Sequence, residues 1–173
     1  MCTVGALAIG AAAFAGCGGS SGTSASTAST AAGATQVAAK SAVPSLVIGT
    51  YKTPEDGTLI SGASNRTLYV LKSDEKSTSA HEKSSTCYGA CATVWPPVLA
   101  SGTPAVAGKA SASLIGLTTR TDGTKQVTYN GLPLYYYAAD TKAGQATGNH
   151  LKDGFGLWVG MLASGKLAPD GSS

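Results

Sequence analysis

Apolar and polar positions fall into short blocks along this chain, and the same series of blocks occurs twice. Leu46-Val47-Ile48-Gly49 opens one series and Leu114-Ile115-Gly116-Leu117 opens the other. Each opening block leads to a turn, Pro54-Glu55-Asp56-Gly57 in the first and Thr121-Asp122-Gly123 in the second. A short strand-like piece and a second turn follow. Then comes a run apolar or aromatic on both faces, Thr67-Leu68-Tyr69-Val70-Leu71 or Pro133-Leu134-Tyr135-Tyr136-Tyr137. Each run reaches an aspartate five residues after its first tyrosine: Tyr69 to Asp74 and Tyr135 to Asp140. The blocks are short, rich in Val, Ile, Thr and Tyr, and bounded by Gly, Asn and Asp, which predicts strands. Gln126-Val127-Thr128-Tyr129, Asn130-Gly131 and Leu132-Pro133-Leu134-Tyr135 predict a hairpin with a type I′ turn, since both central residues accept positive φ. Pro133 restricts its strand to an edge or to the first ladder position. Alternation places Tyr135 and Tyr137 on one face and Tyr136 on the other. Beyond the N-terminal apolar run, no segment has a helical period. The pattern predicts an all-β domain of two pseudo-symmetric repeats, packed as one small sandwich or barrel-like unit.

Residues 72–86 form a long polar loop whose only apolar residue is Ala80, and residues 141–156 are its Gly-rich counterpart. The halves end on Trp95 and Trp158, and residues 100–110 link them. The repeats are expected over 43–99 and 111–163.

Cys87-Tyr88-Gly89-Ala90-Cys91 precedes Trp95-Pro96-Pro97. In an extended strand, positions i and i+4 lie about 13 Å apart, beyond the roughly 4.4–6.8 Å a disulfide spans. The two sulfurs can therefore meet only if the chain folds back, which Gly89 eases. The closed loop is small, so a bridge would stabilise by about 2 kcal/mol.

Residues 4–15 are small and apolar. The run is shorter than the roughly 20 residues a membrane span needs and suits the apolar core of a signal peptide. It ends in Phe14-Ala15-Gly16-Cys17, followed by Gly18-Gly19-Ser20-Ser21-Gly22. This resembles a bacterial lipobox, in which the cysteine receives a diacylglyceryl group and becomes the mature N-terminus. Phe14 stands where Leu is usual, and no Lys or Arg precedes Lys40, so the basic leader segment is missing; a start further upstream would supply it. The expectation is a lipoprotein signal peptide over 1–16, and lipidated Cys17 followed by a Ser/Thr/Ala/Gly tether over 17–42. As a flexible coil, that tether reaches about 25–30 Å. Cys2 leaves with the signal, which leaves Cys87 and Cys91 as an even pair in an oxidising compartment, where a disulfide is the default.

Only 12% of residues are charged and the net charge is +3, with no Lys/Arg cluster. Nucleic-acid binding is therefore not expected, and the scattered basic residues read as solvated surface.

The motifs together resemble the secreted-repeat bacterial lipoproteins, a family of unknown function. The resemblance rests on Leu68-Tyr69 with Asp74, on the Cys87–Pro97 segment, and on Asp122 to Tyr135 with Asp140, followed by Gly144, Gly148 and Trp158. It implies a lipid-anchored protein on the extracytoplasmic face of a cell or outer membrane. It supplies no reaction.

Tyr69, Asp74, Tyr135 and Asp140 are candidates for a structural or binding role. A phenol and a carboxylate can hydrogen-bond, and a motif present in both halves reads first as a fold determinant. Tyr129, Tyr135, Tyr136 and Tyr137 read as an aromatic cluster serving the core, or alternatively a stacking ligand. The sharp alternative for the cysteines is a reduced, soft site suited to copper, with His81 beside Cys87 and Cys91 and with Met161 or His150 from the other half. Cys-x-x-Cys-His is absent, so haem attachment is not expected. The folded part has no Gly-x-Ser-x-Gly elbow, no Gly-Lys-Ser/Thr phosphate loop and no His-Glu-x-x-His. The reading is a non-enzymatic structural or binding module without a cofactor, with envelope redox or copper handling through Cys87 and Cys91 as the alternative. An enzyme acting on an envelope glycan is a third class with no catalytic signature behind it. The ligand and any protein partner stay unnamed.

Overall fold

The computed structural model describes residues 46–76 and 84–169. Cys17, expected to be lipidated, the stretch expected as a tether and His81 lie outside these residues. Among the described residues the chain forms short strands in three small sheets and one short α-helix.

In the first repeat, β1 (Val47–Thr53) turns at residues 54–56 into β2 (Gly57–Ser61), pairing antiparallel with Thr50 opposite Ile60. In the second, β5 (Ile115–Thr119) pairs with β6 (Lys125–Tyr129), Gly116 opposite Thr128. The Asn130-Gly131 turn then leads into β7 (Leu132–Pro133), with φ of 49° and 77° at the two turn residues, as a type I′ turn requires. Pro133 sits opposite Thr128 at the end of a two-residue strand, so its missing N–H interrupts no long ladder.

The motif strands are where the repeats meet. In the first repeat the motif strand is β3 (Tyr69–Leu71), and it pairs with β9 (Gly156–Gly160), the last strand of the second repeat. Conversely, residues 94–98 of the first repeat run along the motif segment of the second: Tyr136 N–H donates to Pro96 O at 2.8 Å and Ala138 N–H to Val94 O at 2.9 Å. A pair of three-cornered hydrogen-bond knots finishes the exchange. Ile60 N–H donates to Met161 O, Met161 N–H to Leu68 O and Leu68 N–H to Ile60 O, at 2.9, 3.2 and 3.2 Å. In the other half, Val127 donates to Val98, Val98 to Leu134 and Leu134 to Val127, at 2.8, 2.9 and 2.9 Å. The final strand of each repeat is thus built into the other. The pseudo-two-fold axis passes between Tyr69 and Tyr135, which exchange two backbone hydrogen bonds of 2.9 Å.

Alternation along the crossed strands divides the interior. Leu68, Val70 and Leu134 point into an aliphatic core with Ile48, Ile60, Val98, Val127 and Met161. Tyr69, Leu71 and Tyr135 point the other way, to Trp95, Trp158 and the two cysteines. The expected split of Tyr135 and Tyr137 from Tyr136 holds. Tyr129 lies on the Tyr136 side, in the aliphatic core, with its hydroxyl donating to Ala163 O at 2.8 Å.

The all-β reading holds. Among the described residues the sheets do not close into a barrel. The sequence expectation lacked two features. One is α1 (Ala90–Val94), a helix too short to produce a period. The other is β4 (Ala105–Val106) in the linker, which pairs parallel with β1. The remaining strand, β8 (Lys152–Asp153), forms a tight hairpin with β9.

Candidate functional site

The tyrosine of each repeat reaches the aspartate of the other. Tyr69 Oη donates to Asp140 Oδ2 at 2.5 Å, and Tyr135 Oη donates to Asp74 Oδ2 at 2.7 Å. The second oxygen of each carboxylate is held by a threonine from the long loop that follows. Asp74 Oδ1 accepts from the Thr86 amide at 3.0 Å and the Thr86 hydroxyl at 2.5 Å. Asp140 Oδ1 accepts from the Thr147 amide at 3.2 Å and the Thr147 hydroxyl. Both aspartates are buried, at 0% and 1% exposure, so an unpaired partner would be costly.

The environments of the two pairs differ. Beside Asp74 and Tyr135 lies Arg120, 4% exposed. Its Nη1 donates to Ser85 Oγ at 2.8 Å and to Gln126 Oε1 at 2.7 Å, and its Nη2 donates to Cys87 O at 2.9 Å. Arg120 therefore departs from the expectation that the basic residues are solvated: both Nη atoms donate inside the protein, its Nε pairs with Asp122 at 3.7 Å, and its guanidinium lies 4.2 Å from the Tyr88 ring centroid. Burial pushes the Asp74 carboxyl above its ordinary pKa, and the Thr86 and Tyr135 hydrogen bonds and Arg120 only partly oppose this. Burial, with the facing carboxylates, also holds the Tyr69 and Tyr135 phenols far above the usual range, so both remain donors. On the Asp140 side, Arg66 binds backbone instead, donating to Asp140 O at 3.0 Å and Tyr137 O at 2.7 Å.

Over these pairs stands an aromatic stack. Trp95 and Trp158 lie face to face, with centroids 4.0 Å apart and planes 8° from parallel, and Tyr137 continues the stack at 4.3 Å from Trp95. Each tryptophan takes the tyrosine of its own repeat edge-on, Tyr69 at 5.5 Å and Tyr135 at 5.1 Å. Asp153 holds both indoles: Trp95 Nε1 donates to its Oδ2 at 2.8 Å and Trp158 Nε1 to its Oδ1 at 3.2 Å. The same carboxylate closes the hairpin turn by accepting from the Phe155 and Gly156 amides at 2.8 and 3.1 Å. Burial alone would raise the Asp153 pKa; the four N–H donors outweigh it and bring it below the ordinary carboxylate value.

Cys87 and Cys91 form a disulfide with Cα atoms 5.3 Å apart. The chain folds back at Gly89 (φ 55°) into α1, the geometry that this spacing requires. Both cysteines are buried beside Trp95. Of the proposed copper ligands from the second repeat, Met161 is buried in the aliphatic core, and His150 Nε2 sits 2.7 Å from Pro169 O. Among the described residues no group of three or more His, Cys, Asp or Glu side chains is poised for a metal.

The structure therefore brings Tyr69, Asp74, Tyr135 and Asp140 together around one pseudo-axis, with the cysteine pair beside them. Sequence reasoning missed Thr86, Thr147, Arg120, Ser85, Gln126 and Asp153. The one signal was position: Thr86 and Ser85, like Thr147 and Asp153, fall in their repeat's long loop after the motif aspartate.

These features define a tandem-repeat β protein whose halves complete each other by strand exchange around a doubled Tyr–Asp motif. The chain belongs to the family described as a secreted repeat of unknown function, whose model matches residues 50–99 and 116–159, just over half of the sequence. The comparisons with curated proteins and with solved structures returned no match. Membership fits an extracytoplasmic protein of unknown activity. Among the described residues, no helix is long and apolar enough to cross a membrane.

Proposed function

We propose that the protein is a lipid-anchored module on the extracytoplasmic face of the membrane, non-enzymatic, with a structural or binding role. The observation that carries this reading is the occupancy of the motif. Both oxygens of Asp74 and of Asp140 accept hydrogen bonds from within the domain, and both phenols donate to them. A carboxylate engaged on both oxygens and closed from solvent is poorly placed to exchange protons with a substrate. The motif thus serves to hold two repeats in one rigid body, and binding falls to the surface of that body. The anchor is supported by Phe14-Ala15-Gly16-Cys17 and the Ser/Thr/Ala/Gly stretch after it.

The test is fractionation of cells carrying the protein and its Cys17→Ser variant. Release of the variant into the soluble fraction supports the anchor, and unchanged membrane association overturns it. Copper titration of the reduced protein tests the alternative role. Tight stoichiometric copper lost in both His81→Ala and Cys87→Ser would replace the module reading by copper handling.

A further inference from the structure

The contact between the repeats has the form of a dimer interface. It is isologous: Tyr69 meets Asp140 as Tyr135 meets Asp74, and Met161 enters one hairpin as Val98 enters the other. Neither repeat is complete alone. Without its partner each would keep a buried aspartate facing no phenol and a hairpin edge open where the exchanged strand belongs, a surface that recruits another strand.

One covalent connection makes this contact intramolecular. After β4, which stays on β1 of its own repeat, the chain crosses to β5 through residues 107–114. This crossing is built from small, mostly exposed residues. It is held by single hydrogen bonds, such as Lys109 N–H to Thr50 Oγ1 at 3.0 Å and Ser111 N–H to Tyr129 Oη at 2.8 Å. Straightening it releases only Ala110 and Leu114 from the edge of the aliphatic core, whereas the repeat–repeat contact holds both cores.

We propose that the pairing surface of each repeat also recognises a second copy of this chain. Two chains exchange their second repeats about the 107–114 hinge, giving a two-fold dimer in which each crossed Tyr–Asp pair and each inserted strand is remade between chains. The monomer is favoured when dilute, because the linker holds the partner repeat at a high effective concentration. Crowding the chains shifts the balance to the exchanged dimer. The inference does not depend on the lipid anchor.

Leu59 of the first repeat and Leu162 of the second face each other across an antiparallel bridge. Bridge partners stand about 4.5–5.5 Å apart, within reach of a disulfide, so Leu59→Cys with Leu162→Cys reports which chains pair. The full chain carrying both changes, with Cys2 and Cys17 replaced by serine, is unfolded, refolded over a range of concentrations, oxidised and run under denaturing, non-reducing conditions. The expected result is a covalent dimer whose ratio to monomer rises about tenfold per tenfold increase in protein in the dilute limit. Monomer at every concentration, or dimers in solution whose crosslinks all lie within one chain, would overturn the proposal. If the double variant does not fold, the unaltered chain decides. Its refolded dimer, isolated and diluted, should persist as long as the native fold resists unfolding; a dimer that separates much faster is a surface contact, and one that never forms ends the idea.

Discussion

Tyr69 donates its phenol proton not to Asp74, five residues along its own repeat, but to Asp140 of the other repeat, at 2.5 Å. The exchange of partners turns a local sequence motif into a long-range tie and sets what its mutation should do.

Asp74→Ala and Asp140→Ala should each lower stability by about 1–3 kcal/mol, the cost of stranding a buried phenol and its neighbouring amide. Double-mutant cycles distinguish the crossed arrangement. Tyr69→Phe should couple to Asp140→Ala and be close to additive with Asp74→Ala, as read by denaturant unfolding. Coupling within a repeat instead would contradict the pairing.

Asp74 and Asp153 should give stability opposite pH slopes. Asp74 is raised by folding, so the folded state binds more protons above the ordinary carboxylate value, and its contribution falls as pH rises to the raised pKa. Asp74→Asn should remove that fall. Asp153 is lowered, so its contribution is present above the ordinary value and is lost as pH falls through the folded pKa. Asp153→Asn should remove this acid-side loss. Denaturant midpoints measured across the acidic range check both signs.

The Cys87–Cys91 bridge should resist native-state thiol labelling after mild reduction, because both sulfurs are buried beside Trp95. Replacing both cysteines by serine should cost about 2 kcal/mol, as expected for a short loop. Labelling at the rate of an exposed thiol would show that the bridge opens without unfolding.

Gly148 lies under the stack. A Cβ there would come within 2.8 Å of Trp95 Cη2 and 3.1 Å of Tyr69 Cζ. Gly148→Ala should destabilise by about 1–3 kcal/mol through overpacking, with a shift in tryptophan emission. Unchanged emission and stability would mean that the stack has room to move aside.

Much of this architecture was legible in the chain. The Asn130-Gly131 turn, the alternation through Tyr135, Tyr136 and Tyr137 and the fold-back between Cys87 and Cys91 follow from local rules and stand in the structure. The crossing did not follow from them. Two similar repeats satisfy the same pattern whether Tyr69 meets Asp74 or Asp140, because periodicity fixes a face and not a partner. Arg120 was missed because its burial depends on Ser85, Gln126 and the Cys87 carbonyl, which converge only in three dimensions. Asp153 was missed because Asp-Gly-Phe-Gly looks like any turn until both indoles arrive.

The placement of Met161 bears on the order in which the protein can mature. The chain is synthesised and exported N-terminus first, yet the first hairpin, Ile60 with Leu68, is closed by a residue about a hundred positions further on. A nascent first repeat cannot finish its own core, however long it waits. It must remain open, its apolar face shielded or tolerated, until the last strand has emerged. Closure then comes late and all at once, and contacts of such long sequence separation fold slowly. A stalled or truncated chain ending before Met161 would present an unfinished edge, open to strand pairing with whatever stands nearest.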